Sequence, residues 1–140
     1  MIAAELSGLH HVATLVPEVE AAAAWYVQVL GARRLPHLDH HDAAGALTAV
    51  ILEVPGVPGV LQLRHSLVPL PAGYDPLTLE VTDVAALEAW AARLDALCVS
   101  HTGILVKRTG HGLEVPTPEG TVLRFYTAPQ GGFGAVAFRE

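Results

Sequence analysis

Cysteine is almost missing from this 140-residue chain: Cys98 stands alone. A single thiol excludes an internal disulfide framework and the paired-cysteine spacings of structural zinc sites, and it is expected to serve packing. Basic residues are scarce as well, eight against fourteen acidic ones, giving a formal net charge of −6 with no Lys/Arg cluster. Phosphate neutralisation dominates nucleic-acid affinity, so this balance argues against DNA or RNA as a partner. No apolar run approaches the ~20 residues of a membrane-spanning helix, so no membrane partner is expected. Met1 to Leu9 also lacks a basic start followed by a continuous apolar stretch. A secretory signal is therefore not expected, and the cytoplasm is the default location. Ser-His-Asp spacing, a phosphate-binding loop and a dinucleotide fingerprint are all missing too.

What is present is an apolar, globular composition: 51% hydrophobic and 16% charged residues, over a length that suits one domain. Comparison of the chain with itself is more informative. His11-Val12-Ala13-Thr14-Leu15-Val16-Pro17-Glu18-Val19 leads into a helical stretch containing Trp25, and Pro76-Leu77-Thr78-Leu79-Glu80-Val81-Thr82-Asp83-Val84 leads into one containing Trp90. Val16 and Val81, Val19 and Val84, and Trp25 and Trp90 all stand 65 positions apart without a gap. The chain reads as a tandem duplication. Two long copies suit a pseudo-twofold domain better than a solenoid array.

Each half opens with a strand-length apolar run, Val12 to Val16 or Leu77 to Val81, which halts at a helix-start signal: Pro17-Glu18 or Thr82-Asp83. Helical spacing then joins Val19, Ala22, Ala23, Tyr26, Val29 and Leu30 in the first half, and Val84, Leu87, Trp90 or Ala91, Leu94 and Leu97 in the second. Gly31 ends the first helix. Three strands are predicted after each helix: Arg33 to His37, Leu47 to Val54 and Val60 to His65, then Val99 to Val106, Gly112 to Val115 and Thr121 to Tyr126. Turns at Pro55-Gly56, Pro58-Gly59 and Pro118-Glu119-Gly120 separate them.

The run His10-His11-Val12, with Pro17-Glu18-Val19-Glu20, Trp25-Tyr26-x-x-Val29-Leu30-Gly31 and the closing Pro116-x-Pro118-Glu119-Gly120-x-x-x-Arg124-Phe125, resembles the vicinal oxygen chelate superfamily. That is the glyoxalase, bleomycin-resistance and extradiol-dioxygenase group. The resemblance implies an α+β fold of two tandem βαβββ modules, whose curved mixed sheets surround a central cleft. It places module one at about 7–66 and module two at about 74–128 of a single 1–140 domain; residues 129–140 read as a C-terminal extension beyond the second module, expected over an edge or a dimer partner.

The family's metal chemistry uses four positions on the concave side of the sheets, and they fall on His11, Gln62, Pro76 and Arg124. His11 is a good ligand and Gln62 a weak one. Pro76 has no side-chain donor, and Arg124 sets a permanent positive charge where a carboxylate belongs. No cofactor is therefore expected, a divalent metal staying open if the ligands are assigned wrongly or come partly from a dimer partner. A one-residue slip would bring in His10 and His65, but the alternation of Leu61, Leu63, Leu123 and Phe125 opposes it. In the retained register the concave face carries His11, Ala13, Leu15, Gln62, Arg64, Thr78, Glu80, Arg124 and Tyr126.

Of these, His11, Gln62, Arg64, Thr78, Glu80, Arg124 and Tyr126 form the predicted ligand-binding set. Two guanidiniums with one carboxylate suit an anionic or quinone-like ligand, unless Glu80 and Arg124 simply pair with each other. His11, Glu80 and Arg124 are also the candidates for proton transfer and oxyanion stabilisation. Outside this set, His37-Leu38-Asp39-His40-His41-Asp42 reads as a solvated polar turn rather than a metal tract, His111 as a flexible-loop residue at the pocket mouth, and Trp25 and Trp90 as helix-to-sheet packing. The leading expectation is a homodimeric protein that sequesters a small organic molecule, an antibiotic or a metabolite, without metal. The alternative is an enzyme of the same fold, a lyase, isomerase or dioxygenase, either metal-independent or metal-dependent.

Overall fold

The computed structural model describes residues 2–136 and divides the chain at Pro69/Leu70 into two compact units. In the first, β1 (His11–Val16) is followed by α1 (Val19–Leu30), β2 (Arg33–Arg34), β3 (His40–His41), β4 (Leu47–Glu53) and β5 (Val60–His65). The sheet order is β1-β5-β4-β2, with β3 also on β4; β1 runs parallel to β5 and the other pairings are antiparallel. In the second, β6 (Leu77–Val81), α2 (Val84–Ala96), β7 (Leu105–Lys107), β8 (Gly110–Pro116) and β9 (Val122–Thr127) give the order β6-β9-β8-β7, again with one parallel pair, β6 on β9. The second unit is thus the expected mixed-sheet βαβββ module, and the first matches it with one additional two-residue strand, β3. The duplication survives as strand register: Ala13 pairs with Gln62 across β1 and β5, and Thr78, 65 positions on, pairs with Arg124 across β6 and β9.

Alternation builds both cores. Thr14 and Val16 of β1, Val50 and Leu52 of β4, and Leu61 and Leu63 of β5 are all buried. Facing these strands, α1 buries the six side chains its spacing predicts: Val19, Ala22, Ala23, Tyr26, Val29 and Leu30. In the second unit Leu79, Leu113, Val115, Leu123 and Phe125 fill the same role, while α2 fully buries only Leu87 and Leu94. Both tryptophans are half-buried. Trp90 stacks on Phe125 at 4.6 Å, and Trp25 meets Tyr26 edge-on at 4.9 Å.

Helix ends follow their sequence signals, with one exchange. Asp83 caps α2 by accepting a hydrogen bond from the Ala86 amide at 2.9 Å, and Gly31 closes α1 in the left-handed conformation (φ 66°). At the end of α2 that left-handed position falls on Cys98 (φ 56°). The Cys98 amide reaches the Asp95 carbonyl at 3.0 Å, and the Val99 amide reaches the Leu94 carbonyl at 2.9 Å, the two bonds of a Schellman closure. Cys98 is exposed, so the packing role expected for it is not realised.

Three further expectations are corrected. The strand predicted at Arg33 to His37 stops after Arg34: the Leu35 amide still bonds the Ile51 carbonyl at 2.9 Å, but Pro36 has no amide to continue and starts a 3-10 turn, Pro36–Leu38. The strand predicted at Val99 to Val106 is confined to Leu105–Lys107, because the Schellman closure at Cys98 and a positive φ at Gly103 (74°) keep the intervening chain out of the ladder. His111 is a strand residue of β8, with its amide donating to Thr127 Oγ1 at 3.0 Å. Its flanking glycines serve close approach rather than mobility, since a Cβ on Gly110 would lie 2.3 Å from Thr127 Oγ1. Residues 137–140 of the expected extension lie outside the described residues, and 129–136 include a 3-10 turn, Phe133–Ala135.

Candidate functional site

In the second unit, the parallel pairing of β6 with β9 sets Thr78 beside Arg124 and Glu80 beside Tyr126. The intervening Leu79, Leu123 and Phe125 are buried, so these four polar side chains share the opposite face. They line a cleft of about 470 Å³ whose walls also include Asp75, Thr109, Pro129 and Phe133. That volume lies within the range of small-molecule pockets, ~300–1,000 Å³.

Charge in the cleft is organised around Arg124, which is about 29% exposed. Its Nη1 donates to Asp75 Oδ2 at 3.2 Å, and its Nε lies 3.4 Å from Glu114 Oε1 without an aligned hydrogen bond. Thr78 Oγ1 donates to the same Asp75 oxygen at 3.3 Å. Glu114, opposite Arg124 on β8, also accepts from Lys107 Nζ at 2.8 Å. That hydrogen bond and the Glu114 charge hold Lys107 above its ordinary pKa, and its ammonium stands 5.8 Å from the centre of the Tyr126 ring. The expected alternative pairing of Glu80 with Arg124 does not form; Asp75 and Glu114 take the guanidinium instead.

Asp75, Glu114 and Lys107 were missed by sequence reasoning. Glu114 was within reach of it, since alternation along the predicted strand Gly112 to Val115 puts Gly112 and Glu114 on one face. Asp75 precedes the strand, and nothing in its local sequence marks it as a partner of a residue 49 positions away.

The other expected site residues are in the first unit. His11, at the start of β1, is exposed, with Nδ1 2.8 Å from Nδ1 of His10. Gln62 is buried at 8% exposure, and Arg64 is exposed near the end of β5. Elsewhere in this unit, the His37–Asp42 tract is spent on structure. Asp39 pairs with Arg34 at 2.8 Å, His40 and His41 pair with β4, and Asp42 Oδ1 accepts from the Ala44 and Ala46 amides at 2.9 Å each. Arg34 also binds Glu20 at 2.7 Å, which holds the Glu20 carboxyl below its ordinary value.

The family model for the Glyoxalase/Bleomycin resistance protein/Dioxygenase superfamily matches residues 8–125. The chain belongs to this superfamily. Solved structures of the superfamily's fold agree. A glyoxalase/bleomycin resistance protein/dioxygenase domain from Frankia sp. EAN1pec superposes with a TM-score of 0.70 at 19% identity, covering 91% of this chain and 96% of its own. A lactoylglutathione lyase from Agrobacterium tumefaciens gives 0.69 at 18%, covering 91% and 98%. The fosfomycin resistance protein FosX from Listeria monocytogenes, in a mutant form complexed with Mn(II) and 1S,2S-dihydroxypropylphosphonic acid, gives 0.67 at 14%, covering 87% and 93%. At these identities the likeness shows the fold alone. A search of curated proteins returns no significant match.

Membership raises the question of a metal, and the four positions that the resemblance assigns to its ligands do not supply a donor set for one. Pro76 sits immediately before β6 and offers no side-chain donor, while Arg124 is a permanent cation already held by two carboxylates. Among the described residues, no three His, Cys, Asp or Glu side chains gather into a cation-holding group. No helix of the described residues is long and apolar enough to cross a membrane.

Proposed function

We propose that the protein binds a small organic molecule in the cleft of its second unit and holds it without a resident divalent metal, in the manner of the superfamily's sequestering members. The observation that carries this reading is the position of Arg124. A guanidinium clasped by Asp75 and Glu114 stands where the family resemblance expects a metal-ligating carboxylate, and it lies in the wall of a cleft large enough for a drug-sized ligand. Thr78, Glu80, Arg124 and Tyr126 are the contacts from that wall. His11, Gln62 and Arg64 belong to the same proposal only insofar as the two units act as one 1–140 domain. Homodimer assembly is part of the reading as well; its support is the family resemblance, and sedimentation equilibrium tests it.

Two measurements test the proposal together. Elemental analysis of tag-free protein, before and after incubation with Fe(II), Zn(II), Ni(II) and Mn(II), is expected to find well under one ion per chain. A fragment library of mixed charge is expected to shift amide resonances of β6 and β9. One tightly held ion per chain would overturn the metal-free part and favour a metal-dependent enzyme; a library that leaves β6 and β9 untouched would remove the site.

A further inference from the structure

The cleft of the second unit contains a carboxylate that no cation answers. Three acidic groups, Asp75, Glu80 and Glu114, share this face with two basic ones, Arg124 and Lys107. Asp75 and Glu114 are engaged by those two cations. Glu80 is exposed to the cleft, with no hydrogen bond or ion pair among the described residues.

The guanidinium in this cleft is not available for an anion: the charge of Arg124 is already met by Asp75 and Glu114. An anion in the cleft would have to displace one of those carboxylates while facing Glu80, and like charges repel there. Alongside threonines, the cleft walls carry apolar and aromatic side chains. Tyr126 is the register partner of Glu80 on β9, Pro129 follows the strand, and Phe133 remains 75% exposed with its ring on the cleft.

Building on the proposed binding role of this cleft, we infer that its ligand is an organic cation: an ammonium-bearing molecule whose charge is met by Glu80 and whose apolar body lies against Phe133. A carboxylate supplies the charge complement, and an aromatic face favours a cation and an apolar chain alike. The cleft volume of about 470 Å³ accommodates a molecule of aryl-alkylamine size.

Three probes of one shape and three charges separate the possibilities: 3-phenylpropan-1-amine, 3-phenylpropan-1-ol and 3-phenylpropanoate, each titrated into the full chain and followed by amide shifts of β6 and β9. The amine is expected to bind roughly tenfold more tightly than the carboxylate. Glu80→Gln should weaken the amine roughly threefold to tenfold and the uncharged alcohol by less, with the amide spectrum itself confirming the fold. Glu80→Lys should reverse the preference toward the carboxylate. Equal or tighter binding of 3-phenylpropanoate by the unmodified protein overturns the cation assignment while leaving the cleft a binding site. Failure of all three probes to perturb the cleft overturns both the assignment and the binding role.

Discussion

Asp75 and Arg124 meet across the start of β6, Oδ2 to Nη1 at 3.2 Å, with about a third of each side chain exposed. An ion pair in such half-wet surroundings is worth little by itself, about 0.2–1 kcal/mol, but here one partner also touches Glu114 and the other holds Thr78. Removing Arg124 leaves Asp75 without its cation and Glu114 with only Lys107. Arg124→Met is expected to lower unfolding free energy by about 1 kcal/mol in urea titration, and a double-mutant cycle with Asp75→Asn to give a coupling of about 0.5–1 kcal/mol. A coupling near zero would mean that the pair is incidental.

Cys98 occupies a conformation that suits glycine. A side chain in the left-handed region costs about 1 kcal/mol relative to glycine, and the Schellman bonds at this position show that the conformation is demanded by the helix end. Cys98→Gly should therefore raise stability by about 0.5–1 kcal/mol, whereas Cys98→Ala should change little. Because the thiol is exposed, it should also react fully with a chromogenic disulfide reagent in the folded state. A thiol that reacts only after denaturation would contradict the exposed placement.

Gly59 is a stricter case. Its φ is 77°, and a Cβ there would stand 2.5 Å from the Leu9 carbonyl oxygen and 2.8 Å from that of His10, both backbone atoms. The Val60 amide bonds the His10 carbonyl at 3.1 Å, so the approach belongs to the β1–β5 pairing. Gly59→Ala should cost about 2 kcal/mol or more by calorimetry, and Gly56→Ala, where a Cβ meets open space, less than that.

Acid sensitivity should trace in part to Glu20. Hydrogen bonds from Arg34 hold its carboxyl below the ordinary 4.5, so its stabilising contribution is complete above that value and is lost as pH falls through the lowered one. The stability gap between the native protein and Glu20→Gln should accordingly be larger near about pH 6.5 than near about pH 2.5. Equal gaps at both would detach Glu20 from the acid response.

Much of this architecture was legible because it rests on period and punctuation. The six buried residues of α1 and the strand faces of Leu61, Leu63, Leu123 and Phe125 follow from helical spacing or alternation, and the 65-residue repeat from comparing the chain with itself. Misreadings arose where backbone geometry overrides composition. Pro36 cut a strand short, Cys98 took a position written for glycine, and the glycines around His111 marked close packing instead of a loop. Alternation puts Thr78, Glu80, Arg124 and Tyr126 on one face, as they are in the structure, but says nothing of the charge balance there. Asp75 and Glu114 neutralise Arg124 through contacts that no local pattern announces.

The two helices are anchored unequally, six side chains buried under α1 and two under α2, and the cleft belongs to the unit with the lighter anchor. Local opening is easier where fewer apolar groups must leave the core. Amides of α2 should then exchange with deuterated solvent sooner than those of α1, and a ligand bound only to the closed form will slow them by mass action. If the cleft binds as proposed, protection of α2 becomes a gauge of whether it is loaded, readable before the ligand's name is known.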